Sequence, residues 1–368
     1  MRNRSWLGWL AAWAWVLAAC GPAATPTPAP TLLPPTPTAA PSATITPTHA
    51  PSATATAAPT ATEPPPTAAP AEQPGPRALA DMVYHAGLGQ VVLRNGSATD
   101  NRLWAWDGAA WRVAAEGGPA ARELGGMAYD AGRDRLVVYG GRRPNGGACL
   151  SDTWEWDGTA WTKLDVAAPP VCSHFVMEYV PALAQVVVFG GADAALNTHP
   201  GMWTWDGAAW AALDMETPEA RFHAMSAVDA AHNQLLLLGG FDIDNQMLGE
   251  LWAWDGAAWT QLEVNGPPAL SHARLVYDTA ADRLVLFGGT TKARTPFALE
   301  AQTWVLAEGA WQAVGAGDSH PSARGGQAMA YDAARGRVVL YGGFTNDAPR
   351  LSDTWEWDGA AWTCAAEC

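Results

Sequence analysis

Two columns of polar side chains are the parts of this sequence with the clearest means to bind a ligand. Arg77, Arg122, Arg221 and Arg324 each stand seven residues ahead of a recurring position held by Tyr84, Tyr129, Val228 and Tyr331. Cys172 and Leu270 fill the arginine place before Tyr179 and Tyr277. His174, His223 and His272 lie two residues beyond that place in three consecutive copies. Guanidinium groups present planar, paired donors that suit carboxylates. Neighbouring imidazoles can hold a metal ion or simply satisfy backbone groups. Gathered on one surface, the seven residues would form a ligand-binding rim.

Signatures of catalysis are missing. The chain has no nucleophile elbow, no His-Glu-x-x-His, no phosphate-binding glycine loop and no dinucleotide fingerprint, so no cofactor is called for. Asp242, Asp244 and Asn245 offer oxygen ligands, but the glycine and bidentate glutamate of a calcium loop do not follow them, and no metal site is assigned. The formal net charge is −15, and −17 once Arg2 and Arg4 leave with a leader. Without a basic face there is nothing to displace counterions from phosphate, which excludes nucleic acid as a partner.

The elements that must position these residues come from a repeat. From Arg77 onward six copies align on Tyr84, Tyr129, Tyr179, Val228, Tyr277 and Tyr331. Eleven residues later stands a glycine pair, as in Gly140-Gly141, with Asn95-Gly96 in the first copy, Asn being the non-glycine residue that best tolerates positive φ. Trp-x-Trp-Asp-Gly-x-x-Trp follows, as in Trp154 to Trp161, its last tryptophan seven positions after its first in every copy. The fifth copy carries Leu306 and Ala307 for the second Trp and the Asp.

Asp-Gly predicts a tight turn, and two tryptophans at i and i+2 share one face of a strand, where they can pack against the next blade. Each copy thus predicts four strands, a to d from the axis outward, and six such sheets closed radially make an all-β, six-bladed propeller. Approximate blades are 77–116, 117–166, 167–215, 216–264, 265–315 and 316–368. The b–c and d–a connections share one face. The second Gly and the first Trp are separated by 8, 13, 12, 12, 15 and 12 residues, so length variation concentrates in the b–c loops, where binding residues tend to sit.

The glycine pair closing a second strand, with spaced aromatics on the third and fourth, is similar to the kelch repeat, from Arg77 to about Thr363. Trp-x-Trp departs from the single aromatic common there. The resemblance implies a partly structural role for the arginines, bonding nearby loop carbonyls. Galactose oxidase shares that fold but needs tyrosine ligands to copper, and all seven tyrosines here serve the repeat framework. Ser151-Asp152-Thr153-Trp154 lacks the glycine and spacing of a sialidase box. Bacterial sialic acid mutarotase is another secreted kelch propeller, so a sugar-active enzyme stands as the alternative to a non-catalytic module that binds a protein or glycan on the b–c and d–a face.

Export is expected from the N-terminus. Arg2 and Arg4 precede an apolar run from Trp6 to Ala19, too short to span a bilayer, which needs roughly 20 apolar residues. Leu17-Ala18-Ala19-Cys20-Gly21 resembles the bacterial lipobox, which implies a signal peptide over 1–20 and a lipid on Cys20 as the membrane anchor at the cell envelope. Residues 21–76, rich in Pro, Thr and Ala, read as a disordered linker with a reach on the order of 150 Å. Of the four remaining cysteines, Cys149 in a b–c loop and Cys172 at the next d–a connection lie on one face at a blade boundary. That predicts a Cys149–Cys172 bridge, leaving Cys364 to pair with Cys368.

Overall fold

The computed structural model describes residues 72–315, 317 and 319–368. The expected leader, Cys20 and nearly all of the linker lie outside these residues. Six four-stranded antiparallel sheets follow one another along the chain, each from four consecutive strands. Their a strands are Asp81–His85, Gly126–Asp130, Val176–Val180, Met225–Asp229, Arg274–Asp278 and Ala328–Asp332. These contact one another in a ring, so the fold is a six-bladed propeller. Packing begins a few residues before Arg77: Tyr341 Oη donates to the carbonyls of Pro74 and Gly75, and Arg102 pairs with Glu72.

Neighbouring blades cover both faces of each b strand, so these strands are apolar almost throughout, as in Leu136 to Tyr139, all fully buried. Each Asp-Gly turn is locked by its aspartate. Asp107 Oδ1 accepts from the N–H groups of Ala109 and Ala110 at 2.9 and 2.8 Å, and Asp157, Asp206, Asp255 and Asp358 repeat the pattern. Positive φ is required at the glycine pair. At Gly239 (φ 65°) an added Cβ would lie 2.4 Å from the Leu270 carbonyl oxygen, and Asn95 takes the same backbone conformation at φ 66°.

The tryptophans meet the preceding blade, not the next one. Trp205 packs with Val137 and Tyr139 of blade 2, and Trp156 with Val92 and Leu103 of blade 1. Strand alternation puts both tryptophans on one face, but the handedness of the ring decides which neighbour that face meets. Indole N–H groups fasten the contact. Trp205 Nε1 donates to Glu155 at 2.9 Å, and Trp210 Nε1 to Thr153 Oγ1 at 2.9 Å. Blade 5 survives with Leu306 opposite Trp311.

Because every blade is one continuous stretch, no strand is exchanged where the ring closes. Trp106 and Trp111 of blade 1 pack on Val339 and Tyr341 of blade 6, donating to Glu356 at 2.6 Å and Thr354 at 2.9 Å. Arg77 N–H adds a backbone bond to the Leu351 carbonyl at 2.8 Å. Cys149 is joined to Cys172 and Cys364 to Cys368, each pair with Cα atoms 6.0 Å apart.

Candidate functional site

The four arginines are not a rim open to solvent. Arg77, Arg122, Arg221 and Arg324 are 0, 0, 3 and 2% exposed. Each reaches back to the carbonyl at the end of its own b strand, that of Asn95, Gly140, Gly239 or Gly342, at 2.7 to 3.1 Å. A carboxylate just ahead of strand c takes the rest of the guanidinium. Arg122 grips both oxygens of Asp152 at 2.7 and 3.1 Å, and Arg324 both of Asp353 at 2.7 Å, whereas Arg77 uses Asp100 and Arg221 uses Glu250. The expected ligand-facing arginine ring is therefore corrected to a set of internal clips. In blade 3 Cys172 occupies the place and carries a disulfide instead.

Of the three histidines, His223 and His272 line the channel cavity, and His174 packs edge-on against His223. The three share a column with Leu79, Leu124 and Gly326, and all six residues hold left-handed backbone, with φ from 51° to 64°. Leu79 N–H donates to the Gly326 carbonyl, His174 to Leu124, His272 to His223 and Gly326 to His272, at 2.7 to 3.4 Å. This collar of bonds between blades holds the leucines in a conformation that costs roughly 1–2 kcal/mol each.

His223 stacks on His272 with ring centroids 3.7 Å apart, and His174 meets His223 edge-on at 4.8 Å. Burial pushes all three down, His174 to about 4 with help from Arg142 and His272 to about 3 with help from His174 and Arg274, so the imidazoles are neutral. Their nitrogens do not converge. Among the described residues the group of metal-type donors lying within 4.8 Å of one another is Asp229, His232 and Asp282, on the opposite face. Asp242 Oδ1, in its b–c loop, accepts from the N–H groups of Asp244 and Gln246 at 2.9 and 2.8 Å, which makes it a turn-forming residue.

Below the collar lies a chamber of about 140 Å³ whose wall includes Asp81, Glu178, Ser226 and Arg274. Sequence reasoning missed all four. Register places Asp81 and Arg274 in a column otherwise filled by Gly126, Val176, Met225 and Ala328. Glu178 stands where other blades have Val83, Ala128, Ala227, Val276 and Ala330, and Ser226 where they have Met82, Met127, Met177, Leu275 and Met329. Each breaks a column of small or apolar residues, and the breaks come from blades 1, 3, 4 and 5 to one cavity. A polar residue in an apolar column was the signal available in the sequence.

Asn95 Nδ2 donates to Asp81 at 2.7 Å, and Ser226 Oγ to Glu178 at 2.7 Å. So Asn95 does more than tolerate positive φ: it orients a carboxyl in the chamber. Each carboxyl keeps some surface toward the channel but is enclosed by protein. That burial raises Asp81 to about 6 against the bond from Asn95, and Glu178 to about 7 against the bond from Ser226. Arg274 is enclosed too, and its one hydrogen bond goes to the Ala80 carbonyl at 3.2 Å. Among the described residues no ion pair within 4.0 Å joins it to either carboxyl. Toward the other face the channel continues into a funnel of about 290 Å³ ringed by Tyr84, Tyr129, Tyr179, Tyr277 and Tyr331, which shares Glu178 and Ser226 with the chamber.

No protein-family profile matches this chain, and no curated protein does. Among solved structures it is similar to that of YjhT, with TM-score 0.64 and 15% identity over 80% of this chain and 98% of that one. At that identity the likeness is one of fold, the six-bladed propeller.

Proposed function

We propose that this chain is a kelch-type recognition module held outside the cell by a lipid on Cys20, and that it captures a polar ligand at the channel mouth on the b–c and d–a face. The ligand is either free or displayed by a protein or glycan. One observation carries the reading: four polar residues break apolar columns in different blades and meet in one chamber. Concave sites with a few convergent polar groups are where small ligands bind. The volume admits something of the size of one sugar or side chain. Two disulfides favour an oxidising compartment.

The test is a glycan and metabolite array probed with wild type, Glu178→Gln and Arg274→Met. Capture lost in both variants, with unchanged near-ultraviolet dichroism, is expected. Capture that survives both rules the chamber out.

A second reading, a sugar-active enzyme, is favoured by Glu178 titrating near neutrality, as an acid/base group for anomerisation would. Polarimetry on fresh reducing sugars decides it. Mutarotation no faster than in buffer removes this alternative.

A further inference from the structure

We propose that the chamber binds a free α-amino acid, its carboxylate on Arg274 and its ammonium between Asp81 and Glu178. This inference rests on the chamber being the ligand site.

Charge placement carries it. Asp81, Glu178 and Arg274 stand on strands of blades 1, 3 and 5, and the Arg274 guanidinium reaches across to the Ala80 carbonyl of blade 1, next in sequence to Asp81, so a molecule in the chamber meets the guanidinium and both carboxyls together. The three groups do not neutralise one another by direct contact, since no ion pair within 4.0 Å joins Arg274 to either carboxyl among the described residues. The attraction of Arg274 for the two carboxyls acts only at a distance, and a ligand carrying both signs would give each of the three a direct charged partner. Each carboxyl is already oriented by a neutral donor, Asn95 or Ser226, which uses one oxygen and leaves the other for the ligand.

Ligands of a single charge fit less well. A simple anion would meet two carboxyls and the field of a chain with formal charge −15. A simple cation would face Arg274. Size points the same way: a cavity of about 140 Å³ admits a small molecule such as an amino acid of modest size and is too small for a folded partner. Leu79, Leu124, Met127 and Phe175 supply apolar wall for its side chain.

The experiment is a thermal-shift panel of the standard L-α-amino acids at millimolar concentration on the full chain, then calorimetric titration of the strongest. Two analogues of that amino acid serve as probes: the α-hydroxy acid, which lacks the ammonium, and the amino alcohol, which lacks the carboxylate. Each should bind about tenfold or more weakly, the loss of one enclosed charge-assisted bond. Glu178→Gln should shrink the preference over the hydroxy acid, and Arg274→Met the preference over the amino alcohol. Arg274→Lys, which keeps the charge, covers the event that Arg274→Met does not fold.

An analogue binding as tightly as the amino acid, or no amino acid binding at all, overturns the proposal. A neutral sugar whose capture is removed by Glu178→Gln or Arg274→Met overturns it while leaving the chamber as the site. Capture of any ligand untouched by both variants overturns the site as well.

Discussion

Glu178 places a titrating group near neutral pH in the middle of the fold, and the sign of its effect on stability follows from its environment. Its carboxyl is raised from an ordinary 4.5 to about 7, chiefly by burial. The folded chain therefore holds this proton more tightly than the unfolded one. The contribution is fully present below the unfolded value and is lost as pH rises through about 7. Asp81 acts the same way through about 6. The histidines run oppositely: their folded values are depressed, so they favour folding above the ordinary 6.5 and lose that contribution as pH falls toward about 4 for His174. The windows overlap, so the raw profile mixes them and a difference isolates Glu178. Glu178→Gln should gain stability relative to wild type between about pH 5 and about pH 8, measured by urea unfolding at several pH values. A difference that stays flat contradicts the buried, raised carboxyl.

At the scale of the element, the arginine clip ties the end of strand b to the start of strand c and so fixes the b–c loop between them. Arg122→Met would leave the Gly140 carbonyl and the Asp152 carboxylate without their shared donor. The expected cost is about 2–4 kcal/mol by urea unfolding, where a ligand-facing arginine would cost next to nothing. The blades themselves were legible because the eleven- and seven-residue spacings encode turns and strand lengths directly. Other features were not. Leu79 and Leu124 hold left-handed backbone that no leucine advertises, and only the glycine at Gly326 in the same column hints at it. The neighbour that the tryptophans meet depends on the hand of the ring, which strand periodicity does not contain. The chamber residues were hidden for a related reason. Attention to what recurs selects framework positions such as the arginines, whereas Asp81, Glu178, Ser226 and Arg274 are informative because they do not recur.

For the whole molecule, the ring closes through side chains and through backbone bonds from Arg77 to Leu351, Gly343 to Arg77 and Leu79 to Gly326, and the same Trp-to-Glu and Trp-to-Thr bonds that join blades 2 and 3 also join blades 6 and 1. At other junctions the indoles pack without these bonds: Trp156 and Trp161 against blade 1 and Trp254 against blade 3 have buried Nε1 atoms with no partner among the described residues. Sites built for ligands commonly hold residues that a more stable protein would replace. The repeat supplies those replacements: Ala as in Ala328 for Asp81, Ala as in Ala128 for Glu178, Met as in Met82 for Ser226 and Met as in Met225 for Arg274. The most direct measurement is made on the variant carrying all four substitutions, comparing its melting temperature and its ligand capture with those of wild type. If the chamber exists for a ligand, the variant melts at the same temperature or higher and captures nothing. A variant that still captures the ligand, or that fails to fold because the four residues hold the ring together, contradicts the account.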